Sequence, residues 1–169
     1  TDHDVHRVLK LKQIEGMGGE WFRCTVEDVE AAVLAVRNRT ANVEDRTRDF
    51  PMRPEQQEAG DKTEAYLRSL SGEDLSRYPK FLWNCKMRFG KTFAAYQLAK
   101  RMGFQRVLIL TFKPAVVSAW QEDLNTHIDF EGWQFISRQT ELTYETADKS
   151  RPIVCFGSFQ DYLGVNKET

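Results

Sequence analysis

Apolar residues recur along this chain at two different spacings, and the changes between them mark out its parts. Near the start, Val5, Val8, Leu9 and Leu11 fall at roughly helical intervals within His3–Ile14, and Gly16, Gly18 and Gly19 then break the run. Glu20–Cys24 is short, aromatic and strand-like. Thr25 opens a second helix with Asp28 at its third position, close to a capping box, and Val29, Ala32, Val33 and Val36 form its apolar stripe. Two helices around one strand make too small a core to stand alone, so residues 1–39 read as the α+β tail of something larger. Thr40–Met52 is polar and without period, and reads as a linker.

From Arg53 onward the spacing alternates between helix and strand. Pro54–Leu70 is a helix with Pro in its first turn, Ser71–Pro79 a loop and Phe81–Asn84 a strand. Lys91–Met102 is a helix stopped by Gly103, Arg106–Thr111 a strand, Pro114–His127 a helix and Ile153–Gly157 a further strand. Strands separated by helices of a dozen residues indicate an α/β fold, a parallel sheet with helices flanking it. Val107–Leu110 is apolar throughout, as a strand covered on both faces should be.

The 169 residues are 41% hydrophobic and 29% charged, the balance of a globular protein that buries a core. No apolar run approaches the ~20 residues of a membrane span, and Thr1–Arg7 is too polar for the centre of a signal peptide. Cys24, Cys85 and Cys155 lie far apart with no CxxC spacing, which argues against zinc and disulfides and for a reducing, cytoplasmic setting. The net charge of −1 hides an asymmetry. Lys80–Lys113 holds eight basic residues and no acidic one, while the other residues carry 16 basic against 25 acidic. Such a concentration draws in phosphate, although a solvated helix face would look the same.

The segment Phe81–Gln97, FLWNCKMRFGKTFAAYQ, gives that charge a purpose. A strand running through CKMRFGKT into a helix is the setting in which backbone N–H groups curl around phosphates at a helix N-terminus. Lys91 would supply a mobile ammonium to the outer phosphates and Thr92 a hydroxyl for Mg²⁺, with Gly90 allowing close backbone approach. The first Gly of G-x-x-x-x-G-K-[ST] is replaced by Cys85, and Gly-Lys-[Ser/Thr] alone occurs by chance in roughly one chain in ten of this length.

The run KMRFGKT resembles motif I of superfamily 2 helicases, in particular the restriction-enzyme kind whose loop reads A-K-M-R-x-G-K-T; there Cys85 replaces a small Ala. Arg53–Ala59, RPEQQEA, is similar to the R-P-x-Q-x-E-A element upstream of that motif. Leu108–Leu124 resembles motif Ia with its helix, and Phe156–Asp161 the [AS]-S-x-Q-D segment. The resemblance runs from Arg53 to Thr169 and implies an incomplete RecA-like P-loop sheet. It implies binding of ATP and Mg²⁺ by Cys85, Lys86, Met87, Arg88, Phe89, Gly90, Lys91 and Thr92, with Lys91 the residue on which catalysis depends and Thr92 on the metal. Gln56 would read the adenine edge; from the residues alone it is a polar side chain in a first helical turn. Lys113, Ser158 and Gln160 would contact DNA, chiefly its backbone; Lys113 could equally be a solvated charge, and Trp120 reads as packing. The D-E-x-[HD] box that supplies a metal-binding acid and a water-orienting Glu does not occur in the sequence. The implied function is therefore the ATP-binding portion of a DNA translocase in a restriction-type nuclease, inactive in ATP turnover without the rest of its polypeptide. A parallel sheet lacking its later strands should also leave an apolar edge uncovered.

Asp4–Arg39 resembles the end of a GIY-YIG nuclease domain, carried by V-H-x-x-L and G-E-W-F before a capped helix. Metal binding by His6 with Asp2 or Asp4 departs from that family's pattern, and His6 packed near Trp21 on a helix face fits the residues better. Two other classes use the same observations: a P-loop phosphotransferase, for which no Arg-rich lid is visible, and a non-catalytic interaction module in which Gly90-Lys91-Thr92 is accidental.

Overall fold

The computed structural model describes residues 2–19, 21–72, 74 and 78–160. They divide into two units, one formed by the residues up to Phe50 with Asn125–Gly132, the other by Pro51–Leu124 and the residues from Trp133 onward.

In the first unit, α1 (Asp2–Leu11) is followed by a small antiparallel ladder of β1 (Gly16–Gly18) and β2 (Trp21–Phe22) and then by α2 (Val26–Asn38). Gly16 and Gly18, expected only to break a helix, thus lie in a strand, and Gly19 in the turn after it. Thr25 does cap α2: its amide donates to Asp28 Oδ2 at 2.8 Å, and the Asp28 amide donates to Thr25 Oγ1 at 3.2 Å. That backbone bond to Thr25, seconded by the Thr25 hydroxyl, holds the Asp28 carboxyl below its usual range. The buried face of α2 is Ala31, Ala32, Leu34 and Ala35, whereas Val29 and Val33 of the expected stripe face outward. His6 stacks on Phe22 with ring centroids 5.2 Å apart, and Trp21, its expected neighbour, is exposed. Glu20 lies outside the described residues.

Of the stretch Thr40–Met52 that reads as a linker, the residues up to Phe50 belong to this unit and Pro51 begins the other. Asn42 and Arg46 are fully buried: Asn42 Nδ2 donates to the carbonyls of Ala31 and Arg46, and Asn42 Oδ1 accepts from the Arg46 amide at 2.9 Å. Arg46 Nη1 donates to the His127 carbonyl at 2.9 Å. Composition reads this stretch as loop because its apolar residues are few; its order comes from hydrogen bonds.

The second unit is mixed α/β. Helices α3 (Pro54–Ser69), α4 (Lys91–Arg101) and α5 (Val117–Thr126) accompany a sheet of β3 (Arg106–Thr111), β4 (Gln134–Ile136) and β5 (Ile153–Ser158). The order is β3-β5-β4 and both ladders are parallel, with Ile109 opposite Phe156 and Phe135 opposite Val154. Both α3 and α5 follow a proline, Pro54 opening α3 and Pro114 a 3-10 turn ahead of α5, as the sequence leads one to expect. The strand β4, only three residues long, is too short to register as a pattern.

Two expectations change here. Phe81–Asn84 has no ladder partner among the described residues; Leu82 is 88% exposed, and the segment is held by its rings. Trp83 Nε1 donates to Thr63 Oγ1 of α3 at 2.6 Å, and Phe81 lies 5.5 Å from the Tyr66 ring. Extended backbone becomes a strand only when a neighbouring strand accepts its hydrogen bonds. In the same way β3 is covered on one face only: Ile109 is buried, whereas Leu108 and Leu110 on the other face are exposed. Among the described residues, no helix is long and apolar enough to cross a membrane.

Candidate functional site

The basic loop lies between the unpaired segment and α4. Its backbone turns sharply, with left-handed φ at Arg88 (61°) and Gly90 (76°), and Lys86, Met87, Arg88 and Gly90 are exposed. Gly90 is the N-cap of α4, so the first-turn amides of that helix open beside the loop. A helix fixes the loop only if it is itself fixed. Phe93, Ala94, Tyr96 and Ala99 bury one side of α4, and the Tyr96 hydroxyl donates to the Trp120 carbonyl at 3.0 Å. The Trp120 ring meets Tyr96 edge-on at 5.4 Å, which makes Trp120 a packing residue, and burial raises the Tyr96 pKa above its ordinary range. On the other side Arg101 reaches Asp61 at 2.9 Å and Glu64 of α3.

The start of α3 grips the loop. Gln56, 4% exposed, accepts from the Arg53 amide at 2.8 Å and donates from Nε2 to the Phe89 carbonyl at 2.7 Å. Arg53 Nη2 donates to the carbonyls of Arg88 and Phe89. With its carbonyls drawn toward Arg53 and Gln56, the loop has less freedom to vary. Both ends of the Gln56 amide thus make a hydrogen bond within the protein, Oε1 with the Arg53 amide and Nε2 with the Phe89 carbonyl. Lys91 Nζ donates to the Lys86 carbonyl at 3.1 Å, closing the loop on itself. The Thr92 side chain is half-buried at the first turn. Cys85 and Phe89 are half-buried, and Phe89 meets Trp83 at 6.3 Å.

Between α3 and Trp83 a cavity of about 310 Å³ adjoins the loop. Glu55, Glu58 and Lys62 line it, with Lys62 paired to Glu58 at 2.6 Å, so its charges are mixed, whereas the exposed face of the loop is basic. No cluster of His, Cys, Asp and Glu able to hold a metal exists among the described residues.

The expected DNA-contacting residues lie elsewhere in the unit, at the carboxyl ends of the strands. Lys113, just beyond β3, and Gln160, just beyond β5, are exposed. Ser158, by contrast, is fully buried and offers no surface to a DNA strand in this conformation. Asp161, the last residue of the F-G-S-F-Q-D segment, lies outside the described residues. Sequence reading missed Arg53 as a loop clamp; its position three residues before Gln56, as the N-cap of α3, was the available signal.

No family profile matches the chain, and no solved structure matches it. Among curated proteins it is 39% identical over 87 residues to a Mycoplasma pneumoniae protein named as the C-terminus of a type II restriction enzyme and methyltransferase, RM.MpnORF110P. The alignment takes in 50% of this chain and 12% of that protein's length. Half of the chain is thus similar to a small part of a much longer restriction-modification protein.

Proposed function

We propose that residues 53–169 are the nucleotide-binding portion of a RecA-like lobe, and that the intact protein couples ATP hydrolysis to movement along DNA in a restriction system. The observation that carries this is the bent loop Cys85–Thr92, exposed at Lys86, Met87, Arg88, Gly90 and Lys91, held by Arg53 and Gln56 and running into the first turn of α4. The likeness to a restriction enzyme and methyltransferase supports the restriction setting and a DNA partner.

The residues present suit ATP with Mg²⁺. Lys91 would exchange the Lys86 carbonyl for an outer phosphate oxygen, the loop and first-turn amides would take the inner ones, and the Thr92 hydroxyl would hold the metal. Mg²⁺ supplies neutralisation of charge on the β- and γ-oxygens. Arg53 and Gln56 act as positioning residues that hold the loop curved. The chain has no D-E-x-[HD] sequence, so the acid and the water-orienting Glu belong to another part of the intact polypeptide. Residues 1–39 fit as the end of a GIY-YIG nuclease domain, with His6 against Phe22 acting as packing.

The test is magnesium-dependent binding of a fluorescent ATP analogue. Lys91→Ala should abolish it and Thr92→Ala should weaken it; unchanged binding in Lys91→Ala would overturn the reading. In the intact polypeptide, the same lysine variant should lose DNA-stimulated ATP hydrolysis. A phosphotransferase would instead show turnover indifferent to added DNA.

A further inference from the structure

The helix α3 buries a face of unexpected chemistry. Its buried residues are Gln56, Gly60 and Thr63, spaced i, i+4, i+7 and therefore on one side of the helix. A helix packed on a core turns apolar side chains inward; this one turns in an amide, a glycine and a hydroxyl. Buried polar groups need partners, and both of these find them on one stretch of chain. Gln56 Nε2 donates to the Phe89 carbonyl at 2.7 Å, close to where the loop passes into α4. About two turns further along α3, Thr63 Oγ1 accepts from Trp83 Nε1 at 2.6 Å, two residues before the loop begins, and itself donates to the Ala59 carbonyl at 2.8 Å.

The entry to the loop needs such an anchor. Phe81–Asn84 has no ladder partner among the described residues, so sheet hydrogen bonds do not fix where Cys85 starts. Trp83 also reaches the other end of the loop, its ring meeting that of Phe89 at 6.3 Å and 64°. One side chain thus holds α3 through its N–H and the far end of the loop through its ring. We propose that Thr63 and Trp83 are positioning residues for bound phosphate: they fix the entry of the loop as Gln56 fixes its exit, so that α3 sets the distance the loop spans. Neither touches the nucleotide. Without the bond between them the entry can shift, and binding must then order the loop anew. The inference rests on the proposed phosphate-binding role of Cys85–Thr92 and extends that site to two residues outside the loop.

The test is titration of the 169-residue chain with a fluorescent ATP analogue and Mg²⁺. Thr63→Val keeps the shape and removes the acceptor; Trp83→Phe keeps a ring and removes the donor. Each should weaken binding about tenfold, the factor for one such hydrogen bond. The double variant should lose no more than either single one, because both remove the same bond. Thr63→Ser keeps the hydroxyl and should restore full affinity. Asn42→Ala, in the other unit, should lower the thermal midpoint and leave affinity unchanged, which separates lost stability from a displaced loop. Trp83 supplies a second signal: saturating inorganic triphosphate with Mg²⁺ should change the tryptophan emission, and Trp83→Phe should abolish that change. Unchanged affinity in Thr63→Val, losses that multiply in the double variant, or an emission change that survives in Trp83→Phe would overturn the proposal and leave the phosphate loop standing. A chain that binds neither the analogue nor triphosphate would overturn the phosphate loop itself, and this proposal with it.

Discussion

A β-carbon built on Gly90 would lie 2.5 Å from Gln56 Nε2, the atom that donates to the Phe89 carbonyl. The glycine of this loop is thus required from behind, by the glutamine. Gly90→Ala should push the Gln56 amide away from Phe89 and force a left-handed φ on a residue with a side chain, at about 1–2 kcal/mol for the backbone alone. Binding of a fluorescent ATP analogue should fall sharply, with the thermal midpoint only slightly lower. Full binding in this variant would show that Gln56 does not hold the loop.

Gln56→Ala separates the role expected of the glutamine, reading adenine, from the one its contacts give it, holding the loop. A residue that only reads adenine would, when removed, weaken ATP and leave inorganic triphosphate unaffected. A residue that holds the loop curved should cost both ligands the same factor, of order tenfold for one buried hydrogen bond lost at a binding surface. Competition of each ligand against the fluorescent analogue measures the ratio.

How much of this was legible beforehand depends on what kind of interaction made each feature. β3 was legible because its apolar run is uninterrupted, and the start of α4 because Gly90 stands just ahead of it as its N-cap. Phe81–Asn84 carries the residues of a strand, but a strand needs a neighbour, and the partner's presence is not written in the segment itself. Thr40–Met52 looked like a linker because periodicity reports buried apolar faces. Asn42 and Arg46 are buried by hydrogen bonds, which leave no period. At the candidate site, Lys113 and Gln160 were found as exposed residues at strand exits, whereas burial of Ser158 depends on β5 running one residue further than its apolar pattern suggests.

The contact between α3 and α4 should weaken in acid. Hydrogen bonds from Arg101, and then from Arg68, hold the Glu64 carboxyl below the usual glutamate range. A carboxyl depressed in the folded state lends stability above its unfolded pKa and loses it as pH falls through the folded value. The contribution should therefore be full at neutral pH and fade below about pH 4. Arg101→Gln removes the largest cause of the depression. Its thermal midpoint should lie a few degrees below that of the unmodified chain at neutral pH, and the two should converge as pH drops. A gap independent of pH would assign the effect to packing of the arginine stem instead.

The sharpest test of the first unit is Asn42. Its side chain is fully buried, and its backbone has the left-handed φ of 42° that asparagine tolerates better than most residues. Asn42→Ala would orphan the buried Arg46 amide and remove the donor that joins Ala31 to Arg46, at about 3 kcal/mol. Asn42→Asp keeps an acceptor for the Arg46 amide but aims a second oxygen at the two carbonyls that Nδ2 now serves, at 3.0 Å for Ala31 and 2.8 Å for Arg46. Both variants should therefore lower stability, the aspartate at least as much as the alanine despite its closer shape. Urea unfolding read at the tryptophans, together with limited proteolysis across Thr40–Met52, distinguishes the possibilities. A true linker would be cut readily in the unmodified chain and would be indifferent to either substitution; a segment held by Asn42 should resist cleavage until that side chain is changed.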